Sequence, residues 1–298
     1  MRARDAVRAV GDRLGPVASG RVRDAALAWG RATWGLRPGP GIVVVGAQRC
    51  GTTTMFRLMA AHPDLRRPTL SKGTSYFDDE YARPRDWYLG HFPVRRGLPG
   101  ASGKAPIAFE CSGYYLFHPL AAERIARDLP DAHVVVLLRD PVSRALSAHR
   151  HEVARGFDTL PLREALDAEG VRTAGESERL RHEPGYRSFA HRHHAYLQRG
   201  EYAPQVRRYL TALGPSRVHV VDADDFFTDT RGRFLQLQEE LGLTPWVPTE
   251  VEAWNARPGP PPDDELRRSL RRHFEPYDGE LAELIGREPS WRRVGAAS

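Results

Sequence analysis

The sequence predicts an α/β fold: a central parallel sheet with helices over both faces, in a single domain that carries helical and loop insertions. Three observations predict it. Four short β-branched runs, IVVVG (42–46), PIAFE (106–110), HVVVLLRD (133–140) and RVHVVDAD (217–224), are of buried-strand type. The segments between them are long enough for crossover helices, the connection that parallel neighbours require. The first run also leads directly into a glycine-bounded turn and then a helical stretch, MFRLMAAH.

In chain order, residues 1–37 place Val7, Val10, Leu14 and Val17 at helical spacing among arginines, with Gly and Pro interrupting. They read as a basic N-terminal helical extension of one or two short amphipathic helices. Pro38-Gly39-Pro40-Gly41 ends any helix, and the main domain is expected over 38–298. Residues 151–200 are polar and helix-prone with few apolar repeats, which suggests an inserted cap of helices and loops. Leu235 to Leu241 and Leu266 to Ile285 read as helices, separated by the loop that Pro258 to Pro262 imposes.

Composition narrows the partners. With 298 residues, 41% apolar and 28% charged, the chain has ordinary globular chemistry. Lys+Arg is 44 against Asp+Glu 38, a net charge of +6 and a pI near 9.6, which favours an anionic ligand but is a modest excess for a nucleic-acid binder. Only Lys72 and Lys104 are lysines, the arginine bias of a GC-rich bacterial genome. Two cysteines, Cys50 and Cys111, make no disulfide framework and lack zinc-ligand spacing, so a reducing cytoplasm is the expected setting. No stretch approaches the roughly 18 apolar residues of a membrane span, and the N-terminus lacks a secretory apolar run. His182, His191, His193 and His194 lack an HExxH or carboxylate-supported pattern, so no metal site is expected.

Two motifs carry chemistry. After the first strand comes Gly46-Ala47-Gln48-Arg49-Cys50-Gly51-Thr52-Thr53-Thr54, a turn that aims backbone N–H groups and a helix N-terminus at an anion. The spacing is that of a P-loop. The lysine of a nucleoside-triphosphate P-loop is replaced by Thr52, and a cation, Arg49, stands inside the loop instead, which disfavours ATP or GTP hydrolysis. After the strand HVVVLL comes Arg139-Asp140-Pro141-Val142-Ser143-Arg144-Ala145-Leu146-Ser147. Arg139 stands at a strand end, the ligand edge of open α/β sheets, and Pro141 suits a first helical turn. Alone, Arg139 could pair with Asp140; coupled to the first loop, it reads as a second anion clamp.

Together these motifs resemble the sulfotransferases that use 3′-phosphoadenosine-5′-phosphosulfate (PAPS), nearest to the carbohydrate and heparan-sulfate branch. The resemblance runs on through His62-Pro63, SKGTSYFD (71–78), FECSGYY (109–115), Gly200 to Tyr202 and LGL (241–243). It implies that Gln48, Arg49, Cys50, Gly51, Thr52, Thr53 and Thr54 bind the 5′-phosphosulfate, and that Arg139 and Ser147 bind the 3′-phosphate. It also implies a metal-free transfer that releases adenosine 3′,5′-bisphosphate.

Three departures qualify the resemblance. The loop cation is Arg49 rather than lysine; guanidinium still holds phosphosulfate oxygens but is a poor proton donor. The heparan-type motif K-E-x-H-F-F carries its base at Glu, where this chain has Gly73; Lys72 is retained as a candidate catalytic contact. Glu110, closing a predicted strand, is then the first-choice base, and His118 the second. In the covering loop Arg257 is the candidate 3′-phosphate ligand. The expected acceptor is a hydroxyl of a small molecule or glycan: carbohydrate, glycolipid and secondary metabolite all stay open, as does the oligomeric state. A non-catalytic nucleotide-binding relative and, behind it, a small-molecule kinase are the alternatives.

Overall fold

Five parallel strands form one sheet in the order β2-β3-β1-β4-β5, with β1 Ile42–Gly46, β2 Leu65–Arg66, β3 Ile107–Cys111, β4 His133–Leu138 and β5 Val218–Asp222. The structure is a computed structural model that describes residues 16–94, 103, 105–248 and 263–293. Every residue of β1 is buried. Because successive side chains point to opposite faces, complete burial means that both faces of the sheet are covered. The four strands read from β-branched runs are therefore present, each within a residue or two of its expected span. The edge strand β2 is additional, and two residues leave no periodicity to read.

The helices follow in chain order: α1 Pro16–Ala32, α2 Thr52–Ala61, α3 Arg85–Leu89, α4 Ala121–Asp128, α5 Pro141–Ala154, α6 Leu162–Asp167, α7 Glu169–Thr173, α8 Glu176–His182, α9 Phe189–His193, α10 Tyr202–Leu213, α11 Ala223–Thr228, α12 Thr230–Glu240, α13 Asp264–Ile285 and α14 Ser290–Arg293. Helix α1 packs on α3, where Gly30 meets Gly90 backbone to backbone and Arg31 pairs with Asp86 at 3.1 Å. Val7, Val10 and Leu14 lie outside the described residues. Among those described, no helix is long and apolar enough to cross a membrane.

Strand order positions the site. Chain connection reverses direction across β1, which has β3 on one side and β4 on the other. A crevice opens at such a switch point, outside the strands' carboxyl ends. There the loop after β1 and the residues after β4 come side by side. A main core of Val43, Val44, Val45, Phe109, Val135 and Val136, all 0% exposed, lies beneath them.

Candidate active site

The loop after β1 is shaped by two left-handed residues, Arg49 at φ 72° and Gly51 at φ 83°. Gly51 needs to be glycine twice over: its φ is strained for other residues, and a Cβ there would run into the Phe227 ring. This turn delivers the chain into α2 at Thr52, so the first-turn N–H groups of a ten-residue helix face the crevice end of the sheet. Cys50 N–H closes the turn on Ala47 O at 3.2 Å.

The second motif is fixed by its own cap. Asp140 accepts from Val142 N–H at 3.1 Å, Ser143 N–H at 3.3 Å and Ser143 Oγ at 2.6 Å, with Pro141 at the first position of α5. Asp140 is therefore committed to the helix and does not neutralise Arg139. The two motifs meet directly: Arg49 Nε donates to Ser147 Oγ at 3.0 Å, and Arg139 reaches Arg49 O at 3.4 Å. Arg139 Nε is buried and has no hydrogen-bond partner among the described residues.

Lys72 joins them from the segment beside β3. Its Nζ donates to Thr52 Oγ1 at 2.9 Å and lies 3.4 Å from Thr53 Oγ1, directly over the first turn of α2. A cleft of about 370 Å³ is lined by Gln48, Arg49, Thr52, Thr53, Lys72 and, opposite, by Ser112, Gly113, Tyr114, His151, Arg155, Arg192, His193 and Arg199. No carboxylate is among these lining residues, so the cleft is a cationic cavity suited to an anionic ligand.

Other expected site residues sit elsewhere. Cys50 is 1% exposed, beside Tyr202 Oη at 3.7 Å, and burial pushes its thiol up to about 11. Thr54 is also buried and faces the core. Both shape the loop from below instead of lining the cleft. Arg257 lies outside the described residues.

Glu110 is a correction. Its neighbour Cys111 points toward α2, with Sγ 3.5 Å from Thr52 O, and strand alternation turns Glu110 to the other face. There it is 0% exposed and accepts from Thr74 N–H at 3.0 Å, Thr74 Oγ1 at 2.9 Å, Tyr88 Oη at 2.8 Å and Tyr115 Oη at 3.5 Å. Burial raises its pKa, and the hydrogen bonds offset part of that rise. Its oxygens are occupied by protein donors inside the core, out of reach of a cleft ligand.

His118 is a second correction. It is 2% exposed, its Nδ1 accepts from Leu120 N–H at 3.3 Å, and burial with Arg124, Arg208 and Arg192 nearby lowers its pKa to about 3. It is a neutral core imidazole that does not line the cleft. Gly73 has a structural reason as well: a Cβ there would stand 2.5 Å from Cys111 O, because Cys111 N–H binds Lys72 O at 3.1 Å and holds the two segments together. No side chain fits at that position without backbone movement.

No sequence pattern singles out the pairs that build the far wall. Gln48 Nε2 donates to Glu152 Oε1 at 2.9 Å, Gln48 Oε1 accepts from Arg199, and Glu152 Oε2 meets His193 Nδ1 at 2.9 Å. Burial alone would raise the pKa of Glu152, but His193, Gln48 and Arg199 outweigh it and hold the carboxyl below its ordinary value. His191, by contrast, is buried against Tyr114 Oη at 2.8 Å and stacked on Phe117, and His194 bonds Phe157 O at 2.9 Å. A helical pattern could have shown that His193 faces away from His191, but nothing in the sequence pairs it with Glu152.

Known proteins similar to this chain are sulfotransferases. The Sulfotransferase domain family matches residues 40–253. The bifunctional heparan sulfate N-deacetylase/N-sulfotransferase 3 of Homo sapiens is 25% identical over 290 residues, covering 85% of this chain; the chain spans 31% of that relative's length. The heparan sulfate glucosamine 3-O-sulfotransferase 6 of Homo sapiens is 27% identical over 269 residues, covering 86% of this chain and 75% of the relative. A sulfotransferase from Alicyclobacillus acidocaldarius superimposes with a TM-score of 0.66 at 30% identity, covering 86% of this chain and 99% of that one.

Proposed function

The chain belongs to the sulfotransferase family, and from that premise we propose that it moves a sulfuryl group from PAPS to a hydroxyl of a carbohydrate, glycolipid or secondary-metabolite acceptor. The observation that carries this reading is the junction of two anion elements, Arg49 on Ser147 at 3.0 Å and Arg139 on the Arg49 carbonyl at 3.4 Å. A nucleotide phosphorylated only at its 5′ end engages one such element, whereas PAPS presents anions at two places.

The residues fit that donor. A buried guanidinium N–H without a partner is costly, and an incoming phosphate oxygen relieves the cost at Arg139 Nε. Ser147 Oγ accepts from Arg49 and keeps its own hydroxyl proton to donate. Arg139 and Ser147 would hold the 3′-phosphate, with Arg257 as a further proposed ligand. Arg49, Thr52, Thr53 and the first-turn amides of α2 would hold the 5′ end, with Gln48, Cys50, Gly51 and Thr54 setting the loop's shape. Lys72 adds positive charge where a transferring group meets that turn. When bound, the donor supplies the sulfuryl group and a phosphate leaving group; the cleft residues bind, orient and stabilise charge.

The names of the heparan relatives support a glycan acceptor. Arg155, Arg192, His193 and Arg199 line the donor cleft, which supports 151–200 as an acceptor-side insertion in a domain over 38–298, with 1–37 as an extension. The free thiols Cys50 and Cys111 suit a cytoplasmic setting.

The test is transfer of labelled sulfate from PAPS to a heparan oligosaccharide, methyl glucoside and 4-nitrophenol, together with calorimetric titration of adenosine 3′,5′-bisphosphate and of magnesium ATP. Bisphosphate binding tighter than ATP binding, with sulfate transferred, is the expected result. ATP binding tighter than the bisphosphate would overturn the reading.

A further inference from the structure

We propose that His193 Nε2 takes the proton from the acceptor hydroxyl and that Glu152 positions it. The inference rests on the sulfotransferase reading and supplies the base that Gly73 cannot provide.

The arrangement is specific. Glu152 is 1% exposed, and one of its oxygens meets His193 Nδ1 at 2.9 Å while the other accepts from Gln48 Nε2 at 2.9 Å. A carboxylate only accepts, so the proton sits on Nδ1 and the lone pair on Nε2. The ring lies 4.3 Å from Phe157 and 4.6 Å from Phe189, centroid to centroid, which restricts its rotation. Gln48 belongs to the donor loop, and Arg199 grips its other end. The dyad is therefore fastened to the element proposed to hold the 5′ end of the donor. Helix α5 carries Glu152 at one end and Ser147 nearer its start, so one rigid element ties the base to both donor motifs.

Two other titratable residues of the cleft suit the role less well. Lys72 is engaged with Thr52, and Tyr114 shares a 2.8 Å hydrogen bond with His191 while burial raises its pKa. The charged and titratable groups around the cleft are Arg49 from the loop, His151 and Glu152 from α5 with Arg155 at its end, Arg199, and Arg192 from α9, which pairs with Asp79 and lies 4.0 Å from Asp78, a buried carboxyl behind Ser112. Within this cationic set, the Glu152 carboxylate is what makes a protonated His193 tolerable during the step.

The step balances. The acceptor oxygen bonds to sulfur as its proton passes to Nε2; the bond from sulfur to the bridging phosphate oxygen breaks, and its electron pair leaves with adenosine 3′,5′-bisphosphate. A base of this kind contributes roughly 10²–10⁴ in rate.

The test uses the full chain and three readouts. First, ¹⁵N-histidine spectra should place the His193 proton on Nδ1, and Glu152→Gln should disturb that tautomer. Second, bisphosphate affinity in His193→Ala should stay within about threefold of the parent. Third, single-turnover transfer by His193→Ala should fall about a hundredfold or more on methyl glucoside or a heparan oligosaccharide, lose its acid limb in the pH profile, and fall far less on 4-nitrophenol, whose proton needs little help to leave. A proton found on Nε2, equal losses on alkyl and phenolic hydroxyls, or a large loss in His151→Ala with none in His193→Ala would overturn the proposal. If the parent binds no bisphosphate, the sulfotransferase reading fails first and takes this inference with it.

Discussion

The cleft wall proposed to hold the donor hangs from the carboxyl end of β1, where Gln48, Arg49, Thr52 and Thr53 line it, and the Arg139–Ser147 segment after the adjacent β4 backs it through Arg49. The far wall, Arg155, Arg192, His193 and Arg199, comes from the segment of short helices α6 to α9 and its flanks. That segment is organised by buried carboxylates instead of by a sheet. Glu169 accepts the N–H groups of Tyr196, Leu197 and Gln198, and Asp158 gathers Tyr196 Oη, Arg172 and the Thr159 and Leu160 N–H groups. The difference shows how one scaffold separates its tasks. A wall set by strand register holds an unvarying ligand, while a wall set by side-chain contacts is free to suit another.

The largest effect should come from cutting the donor wall at its junction. Arg49→Ala removes the guanidinium that bridges both motifs, and single-turnover transfer should fall about 10²–10³-fold along with donor affinity. Arg49→Lys should keep part of that loss from appearing, since a point charge replaces a fork. A folded Arg49→Ala protein with parental kinetics would dissolve the distinction between the walls.

Arg139→Ala probes the same wall one contact further out. Adenosine 3′,5′-bisphosphate should weaken by about ten- to a hundredfold while adenosine 5′-phosphate changes little, because a charge-assisted bond worth roughly 1.5–3 kcal/mol is lost only for the former. Equal losses by calorimetry would make Arg139 a structural residue.

Gly73→Glu sharpens the comparison by moving a carboxylate to the position the heparan-type motif gives its base. The Cβ clash with Cys111 O should cost about 1–3 kcal/mol of stability, read as a lowered midpoint in denaturant, with no gain in transfer. A more active and equally stable variant would contradict the close packing of Lys72-Gly73 on β3.

The smallest catalytic effect is expected at Glu110. Glu110→Gln should leave transfer per folded molecule within about threefold, since the carboxyl faces the core; its cost should appear as about 1–3 kcal/mol in unfolding, from disturbed bonds to Thr74 and Tyr88. A hundredfold loss of transfer with unchanged stability would return Glu110 to the active site.

Glu110 and His193 together show how far local reasoning reaches. Glu110 closes a strand at the correct sheet edge, so its place along the strand was legible. Its facing was not, because that depends on which side of β3 packs on α2, as the contact of Cys111 with Thr52 reveals. His193 stood among four histidines; helical spacing sets it apart from His191, but its partner Glu152 lies 41 residues away, beyond any local pattern.

What the sequence determined by itself was the local chemistry. β-Branched runs specify buried parallel strands, the Gly-bounded turn specifies a helix start at the sheet's carboxyl edge, and Asp140-Pro141 specifies the cap that leaves Arg139 at the strand end, because each depends on backbone preferences within a few residues. What only the tertiary structure decided was which side chains share a space: Arg49 with Ser147, Lys72 with Thr52, and His193 with Glu152 and Gln48. Those meetings are set by strand order and helix packing across intervals of 20 to 104 residues, where no sequence period carries information.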